Sequence, residues 1–249
     1  MRRVVDILVA GLGLLAFAPA LAVAALAVWL QDRGSPLYVS DRIGRNGVPF
    51  RLVKLRSMVV GASSAGVDTT TEFDARITPV GGVMRRLKLD ELPQLWNILL
   101  GQMSLVGPRP NVPREVSHYT ASERELLSLR PGLTDLASIV FANLGEILTD
   151  SHDPNLDYTL RIRPWKSRLG LLYVRHRSLR IDLEILALTL VCVVFRKASL
   201  RGIEAVLGRL DAPSDVRRTV RDLRQGVGPV AFLLPGAESE PPVSVIEGP

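Results

Sequence analysis

The chain has 249 residues, a net charge of +6 and 47% apolar residues. Its single cysteine, Cys192, excludes a disulfide framework, and an aromatic content of 5% argues against a nucleic-acid binder that stacks bases. The apolar residues are unevenly spread, because 24 consecutive residues from 7 to 30 carry no charge. This pattern excludes an ordinary soluble protein whose core residues are distributed along the whole chain.

The apolar segment 7–30 allows three interpretations. A cleaved signal peptide is the least favoured, because its apolar region needs only about 7–15 residues. A membrane-spanning helix needs about 20 apolar residues, which this segment supplies. However, Pro19 lies at its centre and predicts a kink or break, and basic residues flank both ends. We therefore predict, slightly ahead of a spanning helix, a re-entrant helix whose two ends both lie in the cytoplasm.

Further along the chain, the pattern predicts mostly helices. Residues 38–54 are expected to form a β-hairpin with its turn at 44–47, and the small polar residues 61–72 a mobile loop. A helix is predicted from near Asp90 through Leu100, ended by Gly101. The later predictions are a helical segment at 113–129, a short strand or buried turn at 137–141, a helix at 156–178, an interfacial or buried helix at 185–195, a short helix at 216–225 and a disordered tail at 236–249.

A basic cluster lies on the predicted helix 156–178 and just beyond it. Anionic lipid headgroups attract such clusters, by about 1 kcal/mol for each Lys or Arg near the membrane surface. A solvated surface is the alternative interpretation. The members of the cluster are Arg161, Arg163, Lys166, Arg168, Arg175, Arg177 and Arg180.

Two adjacent carboxylates, Asp90 and Glu91, stand where the predicted helix begins. Taken alone they are typical of helix capping, since a helix N-terminus favours acidic side chains. Their neighbourhood favours another role, because Arg109 lies in a turn between two prolines and basic residues precede the pair. A helix N-terminus with converging arginines is typical of a phosphate site. Mg²⁺ on one carboxylate would offset the charge repulsion and leave the other carboxylate to attack phosphorus.

Six motifs in chain order resemble those of the bacterial sugar transferase family, the monotopic polyprenyl-phosphate sugar-phosphate transferases. They lie at residues 42–50, 54–58, 74–81, 89–97, 103–110 and 130–134. The chain departs from the family pattern at three positions. Ala18 stands where a serine is usual before the central proline, Gln102 where aspartate is common, and Asp135 where glycine is common.

The resemblance implies a fold that is mainly α with a small β-hairpin. It implies a re-entrant N-terminal membrane helix and a cytoplasmic catalytic domain with interfacial amphipathic helices. We predict the membrane helix at 1–33, the catalytic domain at 34–198 and a partly disordered C-terminal extension at 199–249. The predicted location is the inner (cytoplasmic) membrane, with the catalytic domain on the cytoplasmic face and in contact with membrane lipids.

The resemblance also implies a reaction. The family moves a sugar-1-phosphate from a nucleotide diphosphate sugar, here expected to be a UDP-sugar, to polyprenyl (undecaprenyl) phosphate. This is the first step of exopolysaccharide, capsule, O-antigen or glycan assembly. By analogy, Asp90 is the nucleophile that forms a sugar-phosphoryl-aspartate, and Glu91 is the Mg²⁺ ligand. The residues expected to bind the phosphates or the nucleotide sugar are Arg109, Arg85, Arg56, Lys54 and Arg130.

Two other functions are less favoured. A catalytically silent membrane scaffold of a polysaccharide assembly complex is opposed by the intact pair Asp90 and Glu91 and by Arg109. A membrane protein that binds nucleic acid is opposed by the scarcity of aromatic residues, so no nucleic-acid partner is expected. The sequence leaves a homo-oligomer open. Three histidines fit none of the motifs and are expected to have no catalytic role, namely His118, His152 and His176.

Overall fold

The computed structural model describes residues 2–62, 71, 74–149 and 151–226. A long apolar helix, α1 (Arg2–Asp32), is followed by an antiparallel hairpin of β1 (Leu37–Ile43) and β2 (Pro49–Leu55). The hairpin turn requires left-handed backbone at Asn46 (φ 58°) and Gly47 (φ 79°), which these residue types tolerate best. The N-terminal apolar helix and the predicted hairpin are therefore confirmed. The helix runs through Pro19 without a break, so a break at that residue is not observed.

The rest of the described chain is mainly helical, which is also confirmed. Its elements are α2 (Pro79–Arg86), α3 (Gln94–Leu99), β3 (Ser104–Val106), α4 (Pro113–Ser117), β4 (Gly132–Thr134), α5 (Leu136–Val140), α6 (Leu144–Ile147), α7 (Pro154–Asp157), α8 (Arg163–His176), α9 (Leu179–Val194), α10 (Arg196–Arg209) and α11 (Ser214–Gln225). Short 3-10 turns cover Leu89–Glu91 and Glu123–Ser128, and a π-helical turn joins α7 to α8.

Three local predictions were wrong in detail. The helical segment predicted at 113–129 is interrupted, because α4 ends at Ser117 and the next 3-10 turn begins only at Glu123. The helix predicted at 90–100 is divided, because Lys88 is left-handed (φ 58°) and Asp90 lies in a 3-10 turn before α3 begins at Gln94. The segment 137–141, predicted as a strand or buried turn, lies largely in α5. The Asp135 side chain starts that helix by accepting a hydrogen bond of 2.6 Å from the backbone N–H of Ser138.

Helix α1 packs on the rest of the molecule at both ends and is exposed in the middle. Asp6 and Ala10 are buried near its start, and Ala24 and Val28 near its end. Residues 15–20, which include Pro19, are exposed all round the helix. In the described part of the chain, α1 is the helix whose length and composition would allow it to cross a membrane.

The C-terminal helices share the main core. Leu200, Ile203 and Leu207 of α10 have no exposed surface and belong to the same apolar cluster as the buried residues of α5 and α8. A bidentate ion pair between Arg168 and Asp215 joins α11 to α8. The predicted helix at 216–225 is thus confirmed as part of α11. The boundaries at 33 and 198 stay predictions, and the predicted tail at 236–249 and most of the loop 61–72 lie outside the described residues.

Candidate active site

Asp90 is a buried carboxylate in the 3-10 turn that precedes α3. The residue is 8% exposed, and its Oδ1 atom has no hydrogen-bond partner among the described residues. Burial raises its pKa above the usual value, and the negative charge of Glu91 adds to this shift. Lys54 and Arg85 act in the opposite direction. The site therefore holds a carboxylate oxygen that is shielded from water and free to bind.

Glu91 has the opposite electrostatic environment. Its carboxylate forms ion pairs with the Lys54 ammonium, at 3.3 Å, and with the Arg109 guanidinium. Burial alone would raise the pKa of Glu91, but Arg109 and Lys54 outweigh it and hold this pKa well below its usual range. Glu91 in turn raises the pKa of Arg109. Glu91 is therefore fixed as an anion between two cations.

Lys54 reaches Glu91 because strand β2 is tied to helix α3. The Asn97 side chain, only 1% exposed, accepts a hydrogen bond of 3.1 Å from the Val53 N–H and donates one of 2.7 Å to the Arg51 carbonyl. These bonds hold the strand that carries Lys54 beside the helix that follows the carboxylate pair. Asn97 therefore has a structural role, because it ties β2 to α3.

Arg109 is positioned by a short parallel pair of strands that the sequence did not predict. The Gly107 N–H donates to the Thr134 carbonyl at 3.1 Å, and the Gly132 N–H donates to the Pro108 carbonyl at 3.0 Å. The two glycines touch, since a Cβ atom at Gly132 would lie 2.1 Å from the Gly107 nitrogen. Glycine is required at both positions for the turn to reach Glu91.

The predicted site residues are only partly brought together. Asp90, Glu91, Lys54 and Arg109 form one cluster, and Arg85 on α2 is close enough to affect the pKa of Asp90. Two further predicted phosphate ligands are engaged elsewhere, and their phosphate role stays a prediction. Arg56 makes two bonds of 2.6 Å to Asp32 and one of 2.7 Å to the Ser35 carbonyl, and Arg130 donates to the Gly101 carbonyl at 2.8 Å.

Lys166 of α8 was not singled out from the basic cluster in the sequence. Its ammonium lies 4.8 Å from the centre of the Tyr158 ring. Burial lowers the pKa of Lys166 to about 8, and the positive charge of Arg109 adds to this shift. Asp135, where the family pattern often has glycine, acts electrostatically on both Arg109 and Lys166. Membership of the basic cluster was the sequence signal available for Lys166.

The carboxylate pair is also the part of the site that could hold a metal ion. Among the described residues no group of three His, Cys, Asp or Glu side chains comes together. Mg²⁺ does not need such a cage, because it commonly binds one or two carboxylates together with water and substrate phosphate. The free Oδ1 of Asp90 beside the ionised Glu91 fits this donor requirement.

The fold and the site together define a protein with a long apolar N-terminal helix and a carboxylate pair set among cations, in which Asp90 is buried. The model of the family described as Bacterial sugar transferase matches residues 1–196. The chain belongs to this family.

Three relatives illustrate the similarity. The putative undecaprenyl-phosphate N-acetylgalactosaminyl 1-phosphate transferase of Bacillus subtilis is 42% identical over 113 residues, which are 45% of this chain and 63% of the relative. The UDP-glucose:undecaprenyl-phosphate glucose-1-phosphate transferase of Caulobacter vibrioides is 42% identical over 141 residues, 55% of this chain and 53% of the relative. The exopolysaccharide production protein ExoY of Rhizobium meliloti is 34% identical over 217 residues, 80% of this chain and 87% of the relative. The chain thus spans little more than half the length of the first two.

Proposed function

We propose that the protein is an undecaprenyl-phosphate sugar-1-phosphate transferase that uses a UDP-sugar and acts in exopolysaccharide or capsule synthesis. The observation that carries this proposal is the buried Asp90 with its free oxygen, next to a Glu91 that Lys54 and Arg109 keep ionised. Family membership and the names of the relatives support the substrate class.

In the proposed reaction, a carboxylate oxygen of Asp90 attacks the β-phosphorus of the nucleotide sugar. The bond from this phosphorus to the bridging oxygen breaks, and the nucleoside monophosphate leaves with the electron pair. A phosphate oxygen of undecaprenyl phosphate then attacks the phosphorus of the sugar-phosphoryl-aspartate, and Asp90 is released as a carboxylate. Splitting the transfer into two displacements is the usual role of a carboxylate nucleophile.

The neighbouring residues support this chemistry electrostatically. Glu91 would hold Mg²⁺, which offsets negative charge on the phosphates when bound and leaves the free oxygen of Asp90 to attack. Lys54 and Arg109 keep Glu91 ionised and direct positive charge towards the diphosphate. Arg85 is proposed as a further phosphate ligand. Arg56 and Arg130 could bind phosphate only after leaving their present partners.

The membrane arrangement is proposed to be re-entrant at the cytoplasmic face of the inner membrane. Both ends of α1 pack on the same domain, whereas its centre around Pro19 is exposed, so the centre is the part free to enter the bilayer. Large apolar side chains are also exposed on the elements beside the carboxylate pair and on α9, as expected for a lipid-facing surface. They include Val83, Leu87, Trp96, Leu100, Leu183, Leu190 and Val194.

The activity is tested by mixing purified protein with Mg²⁺, undecaprenyl phosphate and a panel of nucleotide sugars, and measuring release of nucleoside monophosphate. We expect release with at least one UDP-sugar and its loss in Asp90→Asn, because an amide is a poor nucleophile. Asp41→Asn, at an exposed carboxylate of β1, is the matched control and is expected to keep full activity. An absence of release with every sugar would favour a silent scaffold, and unchanged release from Asp90→Asn would exclude Asp90 as the nucleophile.

The membrane arrangement is tested by single cysteines at positions 2 and 45 in a Cys192→Ser background. A membrane-impermeant thiol reagent is added to inside-out and to right-side-out vesicles. We expect both positions to react in inside-out vesicles only, because both would lie on the cytoplasmic face. Reaction of the two positions from opposite sides would demonstrate a spanning helix instead.

A further inference from the structure

The first two turns of α1 contain three charged residues, whereas residues 7–30 of the helix carry no charge. Arg2, Arg3 and Asp6 all form hydrogen bonds or ion pairs with the catalytic domain. Asp6 is only 7% exposed, so its charge is held by partners and not by water. Interfacial lysines and arginines often serve only to anchor a membrane helix, but these contacts point to a second role.

Arg3 binds the end of the helix that follows the carboxylate pair. Its two terminal nitrogens donate to the carbonyls of Ile98, at 2.6 Å, and Leu99, at 2.9 Å. These carbonyls belong to the last turn of α3, where the Gly101 N–H also donates to the Ile98 carbonyl at 2.9 Å. A cation is favoured at that end of a helix. Helix α3 begins three residues after Glu91. Arg3 therefore fixes the far end of a short rigid element whose near end adjoins the pair.

Asp6 binds the strand that leads to Arg109. Its two oxygens accept hydrogen bonds from the Ser104 hydroxyl, at 2.8 Å, and from the Leu105 N–H, at 3.1 Å. Leu105 lies in β3, which runs directly into the glycine–proline turn that presents Arg109. Asp6 and Arg3 are separated by one turn of α1, so a single rigid helix contacts both elements that carry the site.

Arg2 extends this network to the other side of β3. Its Nε atom lies 3.0 Å from a carboxylate oxygen of Asp182, whose other oxygen accepts a hydrogen bond of 2.6 Å from the Tyr173 hydroxyl. The same hydroxyl lies 3.3 Å from the Val106 carbonyl. Strand β3 is thus held from α1 and from α8.

We propose that Arg3 and Asp6 are positioning residues through which the membrane helix fixes the distance between the Asp90–Glu91 pair and Arg109. The inference rests on the proposed function, since the distance matters for transfer of a phosphoryl group. Arg3 fixes α3 and Asp6 fixes β3, while α1 supplies the common frame. Packing of the first turns of α1 on the domain would then also bring the two parts of the active site to their correct separation.

The test compares Arg3→Ala and Asp6→Ala with the wild-type protein in liposomes that contain undecaprenyl phosphate. We expect kcat to fall about 10-fold to 100-fold, because small displacements of reacting groups have effects of this size. KM for the nucleotide sugar should change less than about twofold, and the liposome-bound fraction should stay the same. The matched control is Arg33→Ala, which removes a basic residue at the other end of α1, where Arg33 stacks on Trp29. This control should retain wild-type kcat.

Conservative variants separate positioning from loss of folding. Arg3→Lys can still donate to one carbonyl and should recover part of kcat, with an unchanged melting temperature. Values of kcat within twofold of wild type in both alanine variants would overturn the proposal, as would a parallel loss of melting temperature and activity that Arg3→Lys does not relieve.

Hydrogen exchange tests the positioning role without an activity assay and is therefore independent of the proposed function. In Asp6→Ala, hydrogen exchange of the Leu105 amide should accelerate at least about tenfold, because that amide loses its acceptor, while amides of α8 stay protected. Unchanged exchange at Leu105 would overturn the proposal. If the wild-type protein released no nucleoside monophosphate while Leu105 responded as expected, the proposed function would fail and the structural coupling would stand.

Discussion

The carboxyl groups of Asp90 and Glu91 are neighbours in the chain but differ in their protonation behaviour. Burial and the adjacent anion raise the pKa of Asp90, whereas Arg109 and Lys54 lower that of Glu91. Environments that separate the pKa values of two acidic groups commonly assign them different roles. Here the separation agrees with Glu91 as a permanent anion that attracts cations and Asp90 as the less solvated group that reacts.

Sequence patterns predicted which residues form the site better than they predicted the contacts of those residues. The motif around Asp90 and the Arg109 between two prolines could both be recognised in the sequence. The contact of Lys54 with Glu91 could not, because the two residues are 37 positions apart and are brought together by the hydrogen bond of Val53 with Asn97. Such a contact depends on the packing of β2 on α3, which no local pattern contains. For the same reason, the ion pair of Arg56 with Asp32 could not be foreseen.

Lys166 yields a prediction about stability at the residue scale. Its pKa of about 8 in the folded protein is below the ordinary value of 10.5, so the folded state binds fewer protons than the unfolded state between these pH values. Wild-type stability should therefore rise as the pH increases from about 8 to about 10.5. Lys166→Met should remove this rise and stabilise the protein at pH 7 by about 2 kcal/mol, after allowance for partial exposure.

The measurement is urea unfolding at pH 7 and pH 10, with Lys197→Met as the control because Lys197 is exposed. The control should follow the wild-type pH dependence. A Lys166→Met variant that is less stable than wild type at pH 7 would contradict the assigned burial cost.

At the scale of elements, the glycine contact between β3 and β4 is expected to be the most sensitive feature. Gly132→Ala would bring a methyl group within 2.1 Å of the Gly107 nitrogen, so the strands would have to separate. We expect a loss of about 3 kcal/mol of stability, as for severe overpacking, and reduced activity because the Arg109 turn is displaced. Chemical denaturation and nucleoside monophosphate release measure the two effects.

Gly208→Ala is the matched control for this substitution. Gly208 lies in α10, with no other atom within 4 Å of a Cβ built on it. Alanine should therefore stabilise the helix there by about 0.5–1 kcal/mol. Equal effects of the two substitutions would show that the close contact of the glycines does not constrain the strands.

An element could be predicted from the sequence when neighbouring residues alone determine its conformation. The hairpin could be predicted because Asn46 and Gly47 favour the left-handed backbone that its turn needs. The strands β3 and β4 have three residues each, which is too few for an alternating pattern. Their pairing depends on the contact of Gly107 with Gly132, which are far apart in the sequence. The break before α3 depends on a left-handed Lys88, a conformation that lysine rarely adopts.

At the scale of the whole molecule, the C-terminal helices α10 and α11 should unfold together with α5 and α8. Leu207 is fully buried in the common core, and Leu207→Ala should cost about 2–5 kcal/mol. Near-UV circular dichroism, which reports the environment of the buried Trp165, should show one transition at a lower temperature. Arg201→Ala, at an exposed position of α10, should change stability by less than about 0.5 kcal/mol. A separate early transition that leaves the Trp165 signal unchanged would contradict a shared core.

The apolar helix at the N-terminal end could be predicted from composition, but its packing could not. The absence of charge over 24 residues identified the segment 7–30, and Pro19 predicted a bend in it. The burial of Asp6 and of Val28 on one domain arises from tertiary contacts, which composition does not encode.

The exposed centre of α1 has a mechanical consequence for the bilayer. Residues 15–20 cover about 9 Å of helix, well below the roughly 30 Å thickness of the hydrocarbon core. In the proposed re-entrant arrangement, this short exposed segment adds cross-sectional area to the cytoplasmic leaflet and none to the opposite one. The protein would then bind more tightly to strongly curved vesicles than to flat bilayers. Its binding would also depend on the lateral pressure of the leaflet that it enters.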